Sequence, residues 1–100
     1  PLALHALPRK PSIQSIEAAL ADAYRDSPVV HVLPGEHVAL GTVEDVAGTD
    51  RMRLRVFGNA DRGHVRLIAT LDNLGKGAGG AAVQNLNIMA GLDPVAGLVL

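Results

Sequence analysis

Apolar positions recur along this chain with two different periods. Ile13, Ile16, Leu20 and Tyr24 follow near-helical spacing, with Glu17 and Asp22 on other faces. That pattern predicts an amphipathic helix over residues 12–25, opened by Ser12 as N-cap. Residues 51–57 instead alternate: Met52, Leu54 and Val56 on one face, Arg51, Arg53 and Arg55 on the other. Val65, Leu67, Ala69 and Leu71 alternate in the same way with Arg66, Ile68 and Thr70. Gly58 to Gly63 reads as a turn between them, so the two runs predict an antiparallel pair.

The remaining segments are shorter or weaker. Pro1 to Leu7 is apolar and reads as the end of a strand, and Pro8-Arg9-Lys10-Pro11 reads as a linker. Val29 to Leu33 is a compact β-branched run between Ser27-Pro28 and Pro34-Gly35, hence a short strand. Residues 36–49 carry no clear period. A small-residue helix is expected from Lys76 to Ala90, with Gly91 closing it. The residues after it, with Pro94 and Gly97, read as a tail. The order predicts an α+β fold whose sheet is mostly antiparallel, with helices packed on it.

Composition changes the picture in one respect. Hydrophobic residues make up 48%, but many are alanine and valine, and Tyr24 and Phe57 are the only aromatics. Such a core buries little area per residue, which points to added stabilisation from a partner surface. The chain begins at Pro1 with no initiator methionine and reads as a segment of a longer protein.

Charge and cysteine usage narrow the function classes. Nine basic and ten acidic residues leave a net charge of −1, which argues against a nucleic-acid partner. There is no cysteine, so disulfides and thiolate metal sites are excluded within this segment. No apolar run approaches the roughly 18 residues of a membrane span, and no signal peptide is evident. No membrane association and a cytoplasmic location are expected.

The run Gly75-Lys76-Gly77-Ala78-Gly79-Gly80 satisfies the dinucleotide fingerprint G-x-G-x-x-G. It also follows a strand and opens a helix. A complete dinucleotide unit needs a second parallel strand after the helix and an acidic residue about 20 positions on for the ribose, and the residues up to Leu100 leave no room for that arrangement. The Walker pattern fails because Gly77, not Ser or Thr, follows Lys76. The alternative is close packing: side chains this small let another backbone approach. Packing does not explain Asp72-Asn73, or Gln84, Asn85 and Asn87 on an otherwise small helix. Those polar groups can satisfy a neighbouring loop.

At these residues a family resemblance becomes specific. Leu71-Asp72-Asn73-Leu74-Gly75-Lys76-Gly77-Ala78, then Ala82-Val83-Gln84-Asn85-Leu86-Asn87 and Gly91-Leu92, closely resembles the C-terminal signature of the N-acetyl-gamma-glutamyl-phosphate reductases. Thr49-Asp50-Arg51-Met52, Val56-Phe57-Gly58-Asn59, the opening Pro1-Leu2-Ala3-Leu4 and the Ser12 helix look like the shorter subtype of that family. Residues 29–48 match loosely. Aspartate-semialdehyde dehydrogenase shares the Asp-Asn-Leu and Ala-Val-Gln core but lacks the Val-Phe-Gly-Asn stretch.

The resemblance implies part of a two-domain enzyme of arginine biosynthesis. A dinucleotide-binding domain would be joined to a C-terminal catalytic and dimerisation domain of the glyceraldehyde-3-phosphate-dehydrogenase type. The enzyme would reduce N-acetyl-gamma-glutamyl phosphate to N-acetyl-glutamate semialdehyde with NADPH. In the family a cysteine nucleophile attacks the acyl phosphate and a histidine assists. Both precede this segment, so no catalytic residue is assigned here and the segment alone is expected to be inactive.

Asn73 looks like the asparagine beside the nicotinamide carboxamide of NADP, and Gly75 and Lys76 are further candidates for the cofactor contact. Residues 1–72 would complete the catalytic domain, and residues 73–100 would return to pack on the NADP-binding part. The implied partners are that N-terminal part, a small-molecule acyl phosphate and a second copy in a homo-oligomer. Two alternatives stay open: a paralogue reducing aminoadipyl phosphate in lysine biosynthesis, and a non-catalytic dimerising interaction module.

Other constellations carry less. His5, His31, His37 and His64 show no established zinc spacing, so no metal is expected. His5 ends an apolar stretch, but the family's catalytic histidine lies earlier, so His5 is given a structural or surface role. Arg51, Arg53, Arg55 and Arg66 can share a sheet face that either steers an anionic substrate or is a solvated or subunit-facing surface. Ser12, Ser15 and Ser27 lack a nucleophile motif. Glu44 and Asp45 are adjacent and splay apart, unlike a glycosidase pair.

Overall fold

A computed structural model describes residues 2–35 and 46–100. Strand β1 (Leu2–Ala3) pairs antiparallel with β4 (His64–Leu71) through Leu2 opposite Val65 and Ala3 opposite His64. A single 3-10 turn, Leu4–Ala6, follows, and the Leu4 N–H donates to the Gly63 carbonyl at 2.7 Å. The linker then reverses the chain with left-handed φ values at Arg9 (63°) and Lys10 (42°).

Helix α1 spans Ile13–Ala23. Its start is set by a reciprocal cap. Ser12 Oγ accepts the Ser15 N–H at 3.0 Å, and Ser15 Oγ donates to the Ser12 carbonyl at 2.8 Å. Ser27 Oγ accepts the Val30 N–H at 3.0 Å and leads into β2 (Val30–Leu33). All three serines therefore serve the backbone.

Strand β3 (Met52–Asn59) runs antiparallel to β4 over eight pairs, from Met52 opposite Leu71 to Asn59 opposite His64. The pairing extends two residues beyond the expected strand, so Gly58 and Asn59 belong to the sheet. The turn is Ala60 to Gly63, where Gly63 takes a φ of 63° and Asn59 Oδ1 accepts the Arg62 N–H at 3.1 Å. β2 lies parallel to β3, with Val30 opposite Met52 and Leu33 opposite Arg55. The sheet order is β1-β4-β3-β2. Among the described residues the β1–β4 and β3–β4 pairings are antiparallel, as expected, and the β2–β3 pairing is parallel, so the sheet is mixed. A parallel pair needs a crossover of a dozen or more residues, and the segment between Leu33 and Met52 is long enough to supply it.

The core is small, as the composition implies. Leu4, Val56 and Val65 are buried, with Leu7, Ile13, Ile16 and Leu20 packed against them. α1 therefore covers the sheet face that carries Val56, Gly58 and Val65. A Cβ on Gly58 would lie 2.5 Å from Ile13 Cδ1 and 2.7 Å from the His64 carbonyl oxygen, so glycine lets the helix approach there.

The C-terminal part departs from expectation in three ways. The helix expected from Lys76 begins instead as a wide π-helical turn, Gly75–Gly79, and becomes helix α2 over Gly80–Met89. Gly77 N–H donates to the Asp72 carbonyl at 2.9 Å and Gly79 N–H to that of Leu74 at 3.0 Å, each bond reaching back five residues. Second, α2 packs chiefly on that turn, so α1 is the helix that lies on the sheet. Third, the tail is not free. Val99 exchanges two hydrogen bonds with Asp50, and Asn87 Nδ2 donates to the Ala96 carbonyl at 2.9 Å. The expected stop holds: Gly91 takes a φ of 68°, with Gly91 N–H to Ile88 O (3.2 Å) and Leu92 N–H to Asn87 O (2.9 Å). The molecule is elongated, 46 × 28 × 18 Å, and among the described residues no helix is long and apolar enough to cross a membrane.

Candidate functional site

The site is built where β4 runs out. Asp72 follows its last residue and organises everything after it. One carboxylate oxygen, Oδ1, accepts the Leu74 N–H at 2.8 Å and the Gly75 N–H at 3.3 Å. The other, Oδ2, accepts the Gly48 N–H at 2.7 Å. These backbone donors, Gly48 foremost, hold the carboxyl below the usual carboxylate range. Asp72 thus joins the loop before β3 to the turn after β4. Sequence reasoning passed over this role, although an aspartate two residues before a leucine-glycine step is the signal of such a turn.

Asn73 comes next and its side chain is exposed. A Cβ on Gly77 would lie 2.8 Å from Asn73 Oδ1, so the glycine leaves the space that the amide uses. Gly75 is pressed against the same loop: a Cβ there would sit 2.4 Å from the Thr49 carbonyl oxygen and 3.0 Å from Asp50 Oδ1. Lys76 is half-buried and turned towards α2, where its Nζ donates to Gln84 Oε1 at 2.8 Å. The three residues singled out from sequence therefore share one turn, with Asn73 the most outward of them.

The glycine fingerprint resolves as packing. The N–H groups of Gly75, Gly77, Gly79 and Gly80 donate to Asp72 Oδ1, Asp72 O, Leu74 O and Gly75 O respectively. All four are spent inside the turn and none is left to cradle a phosphate. The glycines instead admit neighbours. A Cβ on Gly80 would fall 1.9 Å from Asp50 Oδ1, inside the space of that buried carboxylate. Of the polar residues on α2, Asn87 is buried and holds the tail, Gln84 holds Lys76, and Asn85 faces solvent.

The other candidates do not converge. His5, His31 and His64 are exposed, and His37, Glu44 and Asp45 lie outside the described residues. Among the described residues no three His, Cys, Asp or Glu side chains come together as metal ligands. In the β3–β4 register Arg53 opposes Thr70, Arg55 opposes Ile68 and Arg66 opposes Phe57. Those three arginines share the face away from α1, while Arg51 precedes the strand. Arg55 is buried and its Nε has no hydrogen-bond partner among the described residues.

Beyond the turn the surface becomes apolar. Leu74 is 82% exposed and Met89 85%, and Leu86, Ile88 and Leu92 are exposed as well. A short helix that leaves this much apolar surface uncovered is characteristic of an interaction face.

The N-acetyl-gamma-glutamyl-phosphate reductases of Brucella ovis, Brucella canis and Brucella suis are each 50% identical to this chain over 94 residues, covering 91% of it and 30% of the relative. The chain thus spans about 30% of the length of the curated relatives it matches. Residues 3–73 match the family described as semialdehyde dehydrogenase, dimerisation domain. That match covers most of the chain, so the chain belongs to the semialdehyde dehydrogenase dimerisation-domain family.

Proposed function

We propose that this chain is the C-terminal part of an N-acetyl-gamma-glutamyl-phosphate reductase. The complete enzyme would reduce N-acetyl-gamma-glutamyl phosphate to N-acetyl-glutamate semialdehyde with NADPH, releasing phosphate, in the cytoplasm. The observation that carries the reading is the 50% identity over 94 residues to reductases of that name. Residues 1–72 would belong to a catalytic and dimerisation domain of the glyceraldehyde-3-phosphate-dehydrogenase type. Residues 73–100 would pack on a dinucleotide-binding part, and the exposed Leu74, Leu86, Met89 and Leu92 supply a face for it.

The chain has no cysteine, so a thiol nucleophile would come from elsewhere in the polypeptide. The role left to these residues is orientation. Asn73 presents a primary amide, one acceptor and two donors, and that set complements the carboxamide of a nicotinamide ring. NADPH, when bound, supplies the hydride. Asp72 fixes the backbone on either side of Asn73, Gly77 clears space for its side chain, and Lys76 with Gly75 shapes the adjoining wall. A donor-acceptor pair held in place in advance lowers the entropic cost of a productive pose.

Steady-state kinetics of the complete polypeptide test this. Asn73→Ala is expected to raise KM for NADPH about 10-fold or more, in keeping with the loss of one or two hydrogen bonds. An unchanged KM and kcat would remove Asn73 from the cofactor contact.

A further inference from the structure

We infer that Asp50 is a positioning residue for the Asn73 turn, acting as a clasp between the loop before β3, the wide glycine turn and the C-terminal segment. The inference rests on the reading of that turn as cofactor-facing. Asp50 is buried, 9% exposed, although it lies in a loop. Its N–H donates to the Val99 carbonyl at 2.7 Å, and its Oδ2 accepts the Val99 N–H at 2.9 Å. Its Oδ1 fills the notch left by two absent side chains: a Cβ would stand 3.0 Å from it on Gly75 and 1.9 Å on Gly80. Gly75 is the first residue of the wide turn, and Gly80 is the first of α2. The carboxylate therefore touches both ends of the turn at once.

Two residues away, Gly48 donates to Asp72 on the other side of Asn73. The loop 46–50 thus grips the chain before Asn73 and again after it. Burying a carboxylate costs free energy that a smaller or apolar residue would avoid. What the clasp uses is the outline of the side chain and an acceptor oxygen. The substitution Asp50→Asn would keep both, since an amide has the outline of a carboxylate and retains one acceptor oxygen.

The complete polypeptide carrying Asp50→Ala is expected to show KM for NADPH raised about 10-fold, with KM for the acyl phosphate within about twofold of the parent, since a displaced contact acts on the ligand it holds. Asp50→Asn is expected to restore KM for NADPH to within about threefold. Val99→Pro removes the N–H that Oδ2 accepts and is expected to shift the same KM in the same direction, which keeps the test open if Asp50→Ala folds poorly. Thermal unfolding gives an independent reading. Gly80→Ala is expected to lower Tm steeply in the parent and clearly less in the Asp50→Ala background, where the space is free. If Asn73→Ala raises KM for NADPH while Asp50→Ala and Val99→Pro leave it unchanged, the clasp is overturned and the cofactor reading stands. A loss on Gly80→Ala that is equal in both backgrounds overturns the geometry. If Asn73→Ala itself has no effect, both readings fall together.

Discussion

Asp72 and Gly48 meet across the end of the sheet, the carboxylate accepting the glycine N–H at 2.7 Å. The loop before β3 and the turn after β4 are far apart in sequence, and this bond joins them where Asn73 projects. The bond is acid-sensitive because the folded state holds the Asp72 carboxyl below its ordinary value. A lowered carboxyl pKa contributes stability that is fully present above the unfolded value of about 3.9. It is lost as pH falls through the folded value. The parent is therefore expected to show acid-dependent loosening of the Gly48 amide below about pH 4, visible as faster hydrogen exchange at that residue. Asp72→Asn should flatten this part of the pH dependence, and a parent amide whose protection ignores pH in that range would contradict the assignment.

Gly58 is one point at which α1 touches the sheet. Adding a methyl there would push against Ile13 Cδ1 and the His64 carbonyl. Gly58→Ala is expected to destabilise the domain by about 1–3 kcal/mol, the usual cost of overpacking. Ile13→Val removes the offending methyl and should recover part of that loss. Denaturant unfolding of the four proteins of the cycle measures the coupling directly.

Arg55 is buried on the face away from α1, and its Nε has no partner among the described residues. An unsatisfied buried donor costs about 1–3 kcal/mol, so Arg55→Met, similar in length and without the donor, is expected to be neutral or stabilising for an isolated protomer. The outcome should reverse if an acceptor from a second copy reaches this face. A fall in Tm that is accompanied by dissociation in sedimentation experiments would place Arg55 in the subunit contact.

Met89 and Leu86 present α2 to solvent with little of their apolar surface covered. Fully burying such a side chain stabilises by about 1.5–3 kcal/mol. Met89→Asp is expected to weaken the complete polypeptide by an amount of this order. In the isolated segment the same change should reduce self-association and dye binding, because there the apolar surface has no partner. Equal stability of the complete polypeptide with and without Met89→Asp would show that α2 remains solvent-facing in it.

Much of the architecture was legible because it is local. The alternation in Met52 to Val56 and Val65 to Leu71 specified a hairpin, the Ser12 cap started a helix within a residue of its observed start, and Gly91 ended the other. Each depends on neighbours a few residues away, which a linear pattern records. The wide turn was read as ordinary helix because glycine and alanine carry no period, and only hydrogen-bond partners distinguish four-residue from five-residue spacing. The fingerprint G-x-G-x-x-G was compatible with both an anion cradle and close packing, and the pattern of N–H donors decided between them.

The sequence by itself determined the strand pair, the two helices, the lack of cysteine in this chain and the resemblance centred on Asp72 to Asn87. These follow from residue type and spacing alone. Only the tertiary structure decided that β2 lies parallel to β3, that the tail returns to Asp50, and that Asp72 and Asp50 hold the Asn73 turn from either side. Those relations join residues distant along the chain. A pairing of that kind is selected by the whole packed arrangement, where a buried carboxylate must find donors and a missing Cβ must be matched by a neighbour that fills its space.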